Sequence, residues 1–129
     1  MGFKEAIQTV YSKYATFQGR ATRSEYWYFY LFFVIVDIAL LYGSAIIGSI
    51  FNGIEGFAEG MTVGTALYGI FALVSVIPSL AVGVRRLHDT NRSGWNLLWG
   101  LLPIIGAIIL LIYFVQPSKE DNQYGEQPA

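Results

Sequence analysis

The chain has no cysteine and only one histidine in 129 residues. The first absence excludes a disulfide framework, a thiolate nucleophile and any cysteine-based metal site. The second leaves no pair of imidazoles for a metal centre, so no metal and no cofactor are expected. Charge is also scarce, with Asp, Glu, Lys and Arg making up 13% of the chain against about one quarter in soluble domains. A net charge of −1 gives no basic excess for nucleic acid, which is not an expected partner. The opening MGFKEAIQTVYSKY lacks the continuous apolar core and small-residue cleavage site of a signal peptide. Ala6 stands where the myristoylation pattern requires Ser or Thr. Walker loops, dinucleotide fingerprints, metalloprotease helices and internal repeats are absent from the sequence.

What the chain has in abundance is apolar surface. Hydrophobic residues make up 54% of it, gathered into runs over about 27–50, 63–84 and 95–115. Each run is close to the roughly 20 helical residues that cross a bilayer core of about 30 Å. They do not alternate as barrel strands would, and Asp37 is the one charged residue inside them. The expected fold is an all-α membrane protein. It would have three transmembrane helices, at about 23–50, 63–88 and 93–115, packed in a small bundle. Before them, Phe3, Ala6, Ile7, Val10, Tyr11, Tyr14 and Phe17 recur at three- and four-residue spacing, which predicts an amphipathic interfacial helix over 1–18 ended by Gly19. This stripe lies in lipid or packs on the protein's own helices. The whole of 1–129 reads as a single membrane domain, with a flexible loop over 52–61 and a polar, mobile tail over 117–129.

Cations decide orientation. Lys4, Lys13, Arg20 and Arg23 precede the first run, Arg85, Arg86 and Arg92 join the second to the third, and the intervening loop has none. By the positive-inside rule the N-terminus and the second loop are cytoplasmic. Three spans would leave the tail outside. If Pro103 and Gly106 fold the third run back as a re-entrant hairpin, the tail returns to the cytoplasm.

Polar chemistry is concentrated in GVRRLHDTNRSGW, residues 83–95. Arg85, Arg86, His88 and Arg92, with Arg20 and Arg23 from the first block, form a candidate cluster for anionic headgroups or a protein partner. Seven cations stand against Glu5, Glu25 and Asp89 on this face; simple anchoring of helix ends is the plainer alternative. Thr22 and Glu25 have capping-box spacing, and Ser93 or Asn91 can cap the next helix. Glu25 is placed to pair with Arg85 or Arg86, and Asp89 with turn amides or the same arginines. His88 and Asp89 are adjacent, so their side chains diverge; a catalytic dyad with Ser93 is the weaker reading, and no catalytic residue is assigned. Asp37 lies roughly 15 Å into the first span at 1.5 Å per residue. There it is either a proton- or cation-coupling acid of a small oligomeric transporter or channel, or an acid hydrogen-bonded to Tyr42, Ser44 or Ser75. Tyr26, Trp27, Tyr28, Trp95 and Trp99 suit an interfacial aromatic belt. Small residues four apart, such as Ser44 with Gly48, permit close helix contact and a possible homo-oligomer.

Two blocks, FQGRATRSEYW from Phe17 to Trp27 and RRLHDTNRSGW from Arg85 to Trp95, together with NQYG in the tail, resemble the bacterial inner-membrane family called domain of unknown function 805. The resemblance spans nearly the whole chain. It marks Gly19, Arg20, Arg23, Glu25, Tyr26 and Trp27, then Arg85, Arg86, Leu87, His88, Asp89, Ser93, Gly94 and Trp95, and near the end Asn122, Tyr124 and Gly125. It implies a multi-pass membrane protein of unassigned biochemistry.

Overall fold

A computed structural model describes residues 1–128. Its helices are α1 (Phe3–Ser12), α2 (Arg23–Ile38), α3 (Ser44–Asp89) and α4 (Ile105–Val115). A π-helical turn, Ala39–Gly43, joins α2 to α3, and a 3-10 helix, Gly94–Leu101, precedes α4. Among the described residues no strand forms; the only bridge pairs Asn122 with Gly125. The chain forms two compact units, residues 30–76, and residues 1–29 with the chain from Ile77 onward.

Residues 30–76 make an antiparallel helical hairpin. α3 is interrupted at Asn52 (φ −146°, ψ 22°) and Gly53 (φ 63°, ψ −142°), the latter in a region that a residue without Cβ enters freely. Across this break, backbones meet in pairs mirrored about residue 52: Gly48 with Gly56, Gly60 with Ser44 and Ala45, and Gly64 with Leu40 and Leu41. At each of these glycines a Cβ would collide with the facing main chain. Small residues here let the helices touch backbone to backbone. Phe33 and Phe71 keep the same register, with ring centroids 5.2 Å apart. The expected loop over 52–61 is therefore a two-residue break followed by helix, because Gly56 and Gly60 are contact residues and not loop formers. The outward side chains of the hairpin include Ile46, Ile47, Ile50 and Ile54. Of the most apolar 18-residue window between Arg23 and Asp89, only 6% is buried in the protein's own fold. So large a bare apolar surface calls for lipid.

The other unit holds both chain ends. α1 buries Ala6 and Val10 completely and sets Phe3 edge-on to Tyr28 and Tyr11 edge-on to Phe29, at 5.9 and 5.7 Å. Its apolar stripe thus packs on α2, while Met1, Tyr14 and Phe17 stay exposed. α1 stops at Ser12, short of Gly19. Gly19, at φ +90°, instead bends the segment that leads into α2.

The third apolar run is not one helix. The 3-10 helix ends at Leu101, and Ile104 takes φ 65°, a costly conformation for a β-branched residue. The chain then folds back so closely that a Cβ on Gly106 would overlap the Trp99 carbonyl. Gly100 lies against Leu110 at 3.4 Å from where its Cβ would be. With 11 residues, α4 is about 17 Å long at 1.5 Å per residue, roughly half a bilayer core. Pro103 and Gly106 make a turn and a contact, so the expected third span becomes a short hairpin. The tail comes back beside the polar loop, where the Lys119 amide donates to the Asp89 carbonyl at 2.9 Å.

Candidate functional site

The two motif blocks and the tail build one buried network of charges. At the start of α2, Thr22 Oγ1 accepts from the Glu25 amide at 3.2 Å, as the capping-box spacing requires. The reciprocal bond gives way to a stronger partner, since the Glu25 carboxylate accepts from Arg85 Nη1. Arg85 Nε donates to the Thr16 carbonyl at 3.1 Å, and the Ala21 amide donates to the Arg85 carbonyl at 3.0 Å. Arg86 donates through Nη1 to Asp89 Oδ2 at 2.8 Å and through Nε to the Phe114 carbonyl at 3.0 Å. Arg20 Nε takes the other carboxylate oxygen of Asp89 at 2.9 Å. Charge-assisted bonds of this kind are the strong ones.

The end of α4 explains why its hairpin returns here. The last carbonyls of a helix lack intrahelical partners and form its negative pole. Phe114 O accepts from Arg86 and from Trp27 Nε1 (3.1 Å), Val115 O from Arg23 Nη1 (3.3 Å), and Gln116 O from Arg86 Nη2. Arg92 stacks over Tyr113, 4.0 Å from the ring centre, and donates to Gln116 Oε1 at 2.7 Å.

Arg20, Arg85 and Arg86 are buried against the carboxylates of Glu25 and Asp89, which leaves one positive charge in excess. Tail carbonyls solvate it. Arg20 donates to the carbonyls of Glu120 and Gly125 at 3.1 Å and to that of Lys119. The Lys119 amide returns a bond to the Asp89 carbonyl at 2.9 Å, and Ser118 Oγ donates to Asp89 Oδ2. Burial lowers the pKa of Arg86, with Asp89 opposing the shift.

His88 fastens the tail separately. Its ring lies flat on Tyr124, with centroids 3.9 Å apart and planes 2° from parallel. Its Nδ1 faces the Gly19 carbonyl at 2.9 Å, so the proton sits on that nitrogen. Asn122 Nδ2 donates to the His88 carbonyl at 3.1 Å. Burial lowers the His88 pKa, against the bond to Gly19. The tail expected to be mobile is therefore tied down by Arg20, Asp89 and His88.

The candidate residues take different places. Arg85 and Arg86, expected to face headgroups or a partner, are wholly buried and serve Glu25, Asp89 and the α4 carbonyls. Arg20 is likewise committed, and Arg23 is the exposed arginine of the first block. Arg23 and Arg86 do share one site, at the end of α4. His88, Asp89 and Ser93 do not converge on a reaction centre, because Ser93 Oγ accepts from the Trp95 amide at 3.3 Å and the other two hold the tail. Asp37 lies in the hairpin unit, where its Oδ1 is buried without a hydrogen-bond partner, so Tyr42, Ser44 and Ser75 do not satisfy that oxygen. Among the described residues no group of His, Asp and Glu could hold a metal. The family resemblance marks Asn122 and Tyr124, but sequence reasoning gave them no role in the site. The turn-forming NQYG was the available signal.

Beside the network, still within the unit of the chain ends, is a cavity of about 740 Å³. One wall is the stripe of Glu5 and Thr9 on α1 with Lys13 at its C-terminal cap, and another is Arg20, Thr22 and Arg23.

A helical hairpin with a bare apolar face, joined in sequence to a buried arginine–carboxylate cluster, defines a small all-α membrane protein. The family described as "Protein of unknown function (DUF805)" matches residues 14–126, a span that contains all three motif blocks, and the chain belongs to that family. It is similar to inner membrane protein YhaI of Escherichia coli (strain K12), with 38% identity over 122 residues covering 93% of this chain and 92% of the relative. It is also similar to inner membrane protein YhaH of the same strain, with 37% identity over 120 residues covering 92% of each. No solved structure matches. The chain is accordingly a bacterial inner-membrane protein.

Proposed function

We propose that this protein is a non-enzymatic membrane module that engages anionic lipid on the cytoplasmic face. In this reading α2 and the part of α3 after Gly53 cross the bilayer, and Gly94–Val115 enters and leaves on one side. The apolar part of α3 ends near Val84, so Arg85–Asp89 sits at the interface. The N-terminus is then cytoplasmic, as the count of cations on either side predicts, and the tail lies on the same side.

The observation that carries the reading is a division among the cations. Arg20, Arg85 and Arg86 are consumed internally, whereas Lys4, Lys13, Arg23 and Lys119 are exposed and form no ion pair among the described residues. Each basic residue near an anionic surface adds about 1 kcal/mol of attraction. Native mass spectrometry from detergent tests it: phosphatidylglycerol is retained in preference to phosphatidylcholine if the reading holds, and equal retention overturns it.

A second reading, a small transporter or channel using Asp37, is favoured by the unpartnered Oδ1 and by the π-helical turn two residues later, a distortion frequent at functional sites. Ion or proton flux into proteoliposomes that is abolished by Asp37→Asn supports it, and absence of flux rejects it.

A further inference from the structure

We infer that the cavity between α1 and the start of α2 is a discrete site for a glycerophosphate group, the headgroup chemistry of phosphatidylglycerol. This rests on the reading of the protein as an anionic-lipid module and says where on it the lipid is recognised. The volume of about 740 Å³ is within the 300–1,000 Å³ usual for small-molecule sites. Its charges separate into two sets. Arg20 and Glu25 line it but are spent, on Asp89 with the tail carbonyls and on Arg85 respectively. Lys13, Arg23 and Glu5 line it without an ion-pair partner among the described residues, so the uncompensated charge is positive. An ammonium and a guanidinium facing one space from two elements suit a phosphate, which the guanidinium grips in two-point fashion.

The rest of the α1 stripe selects what is attached to that phosphate. Thr9 is one turn from Lys13, about 6 Å along the helix axis, and Glu5 one turn further. A hydroxyl and a carboxylate at that spacing accept from the hydroxyls of a glycerol whose phosphate sits at Lys13 and Arg23. Ser118 and Gln127 close the opposite wall, so the docked tail completes the site.

The test uses the full chain in detergent, with phosphatidylglycerol, phosphatidylethanolamine and glycerol 3-phosphate as separate probes in native mass spectrometry. Phosphatidylglycerol retention is expected to fall about tenfold in Lys13→Gln/Arg23→Gln. The loss is expected to be clearly smaller, at most a few-fold, in Lys4→Gln/Lys119→Gln, which removes equal charge outside the cavity. Thr9→Val is a milder variant that keeps every charge, and a several-fold loss of phosphatidylglycerol with no effect on other anionic lipids is expected from it. Displacement by glycerol 3-phosphate at comparable concentration would support the site and assign it to a soluble phosphate, whereas failure to displace assigns it to the lipid. Equal losses in the two double variants would overturn the cavity while leaving the anionic-lipid module standing, as would preferential retention of phosphatidylethanolamine. Failure of the wild-type chain to retain any anionic lipid would remove the module itself.

Discussion

The two units of this chain are held by opposite means. The hairpin of residues 30–76 relies on missing side chains, with Gly48, Gly56, Gly60 and Gly64 bringing main chain against main chain. The unit of the chain ends relies on long charged side chains, with three buried arginines spread over two carboxylates and the carbonyls of α4 and the tail. In the proposed arrangement their environments account for the contrast. Lipid gives helices no hydrophobic reason to associate, so close packing must supply the attraction. Near the interface buried charges can be paired, and each arginine fork joins segments far apart in sequence.

The contrast breaks most severely at Asp89. Asp89→Ala strands Arg20 and Arg86 in the interior, and losing one member of a buried ion pair costs about 3–5 kcal/mol. The expected result is a chain that no longer gives a cooperative unfolding transition in detergent. In the hairpin, Gly60→Val forces a branched side chain into the Ser44 and Ala45 backbone. Overpacking of this kind costs about 1–3 kcal/mol, read as a lowered denaturant midpoint. Tyr124→Ala removes the ring stacked on His88; with an aromatic pair worth about 1 kcal/mol, the fold should persist while the tail becomes sensitive to limited proteolysis.

The smallest effect is that of pH. Burial holds the folded-state pKa of His88 below its ordinary 6.5, so the unfolded chain takes up the proton first. The contribution of His88 is complete above about pH 6.5 and declines as pH falls from there toward the depressed folded value. Acidification should loosen the tail, and His88→Gln should flatten that dependence in the same proteolysis assay.

Much of the polar site could be read from the sequence, because side chains with charge announce their partners. The Thr22 cap, the pairing of Glu25 with an arginine of the second block and the meeting of both blocks follow from spacing and charge alone. The tail's role did not, since the groups that bind Arg20 are main-chain carbonyls, which any residue has. Glycine misled in the hairpin for a related reason: Gly56 and Gly60 look alike whether they free a loop or admit a neighbouring helix. Pro103 and Gly106 allowed a turn, but the length of the apolar run favoured a third span. Only the contact of Gly106 with Trp99 decides for the turn.

The central claim is that the first block, the second block and the tail lie on one side of the membrane. Native cysteine is absent, so Lys4→Cys and Pro128→Cys can each be labelled with an impermeant maleimide in intact spheroplasts and in inverted vesicles. Both positions should react in inverted vesicles and neither in spheroplasts; labelling of position 128 from the outside, with position 4 protected, would contradict the account.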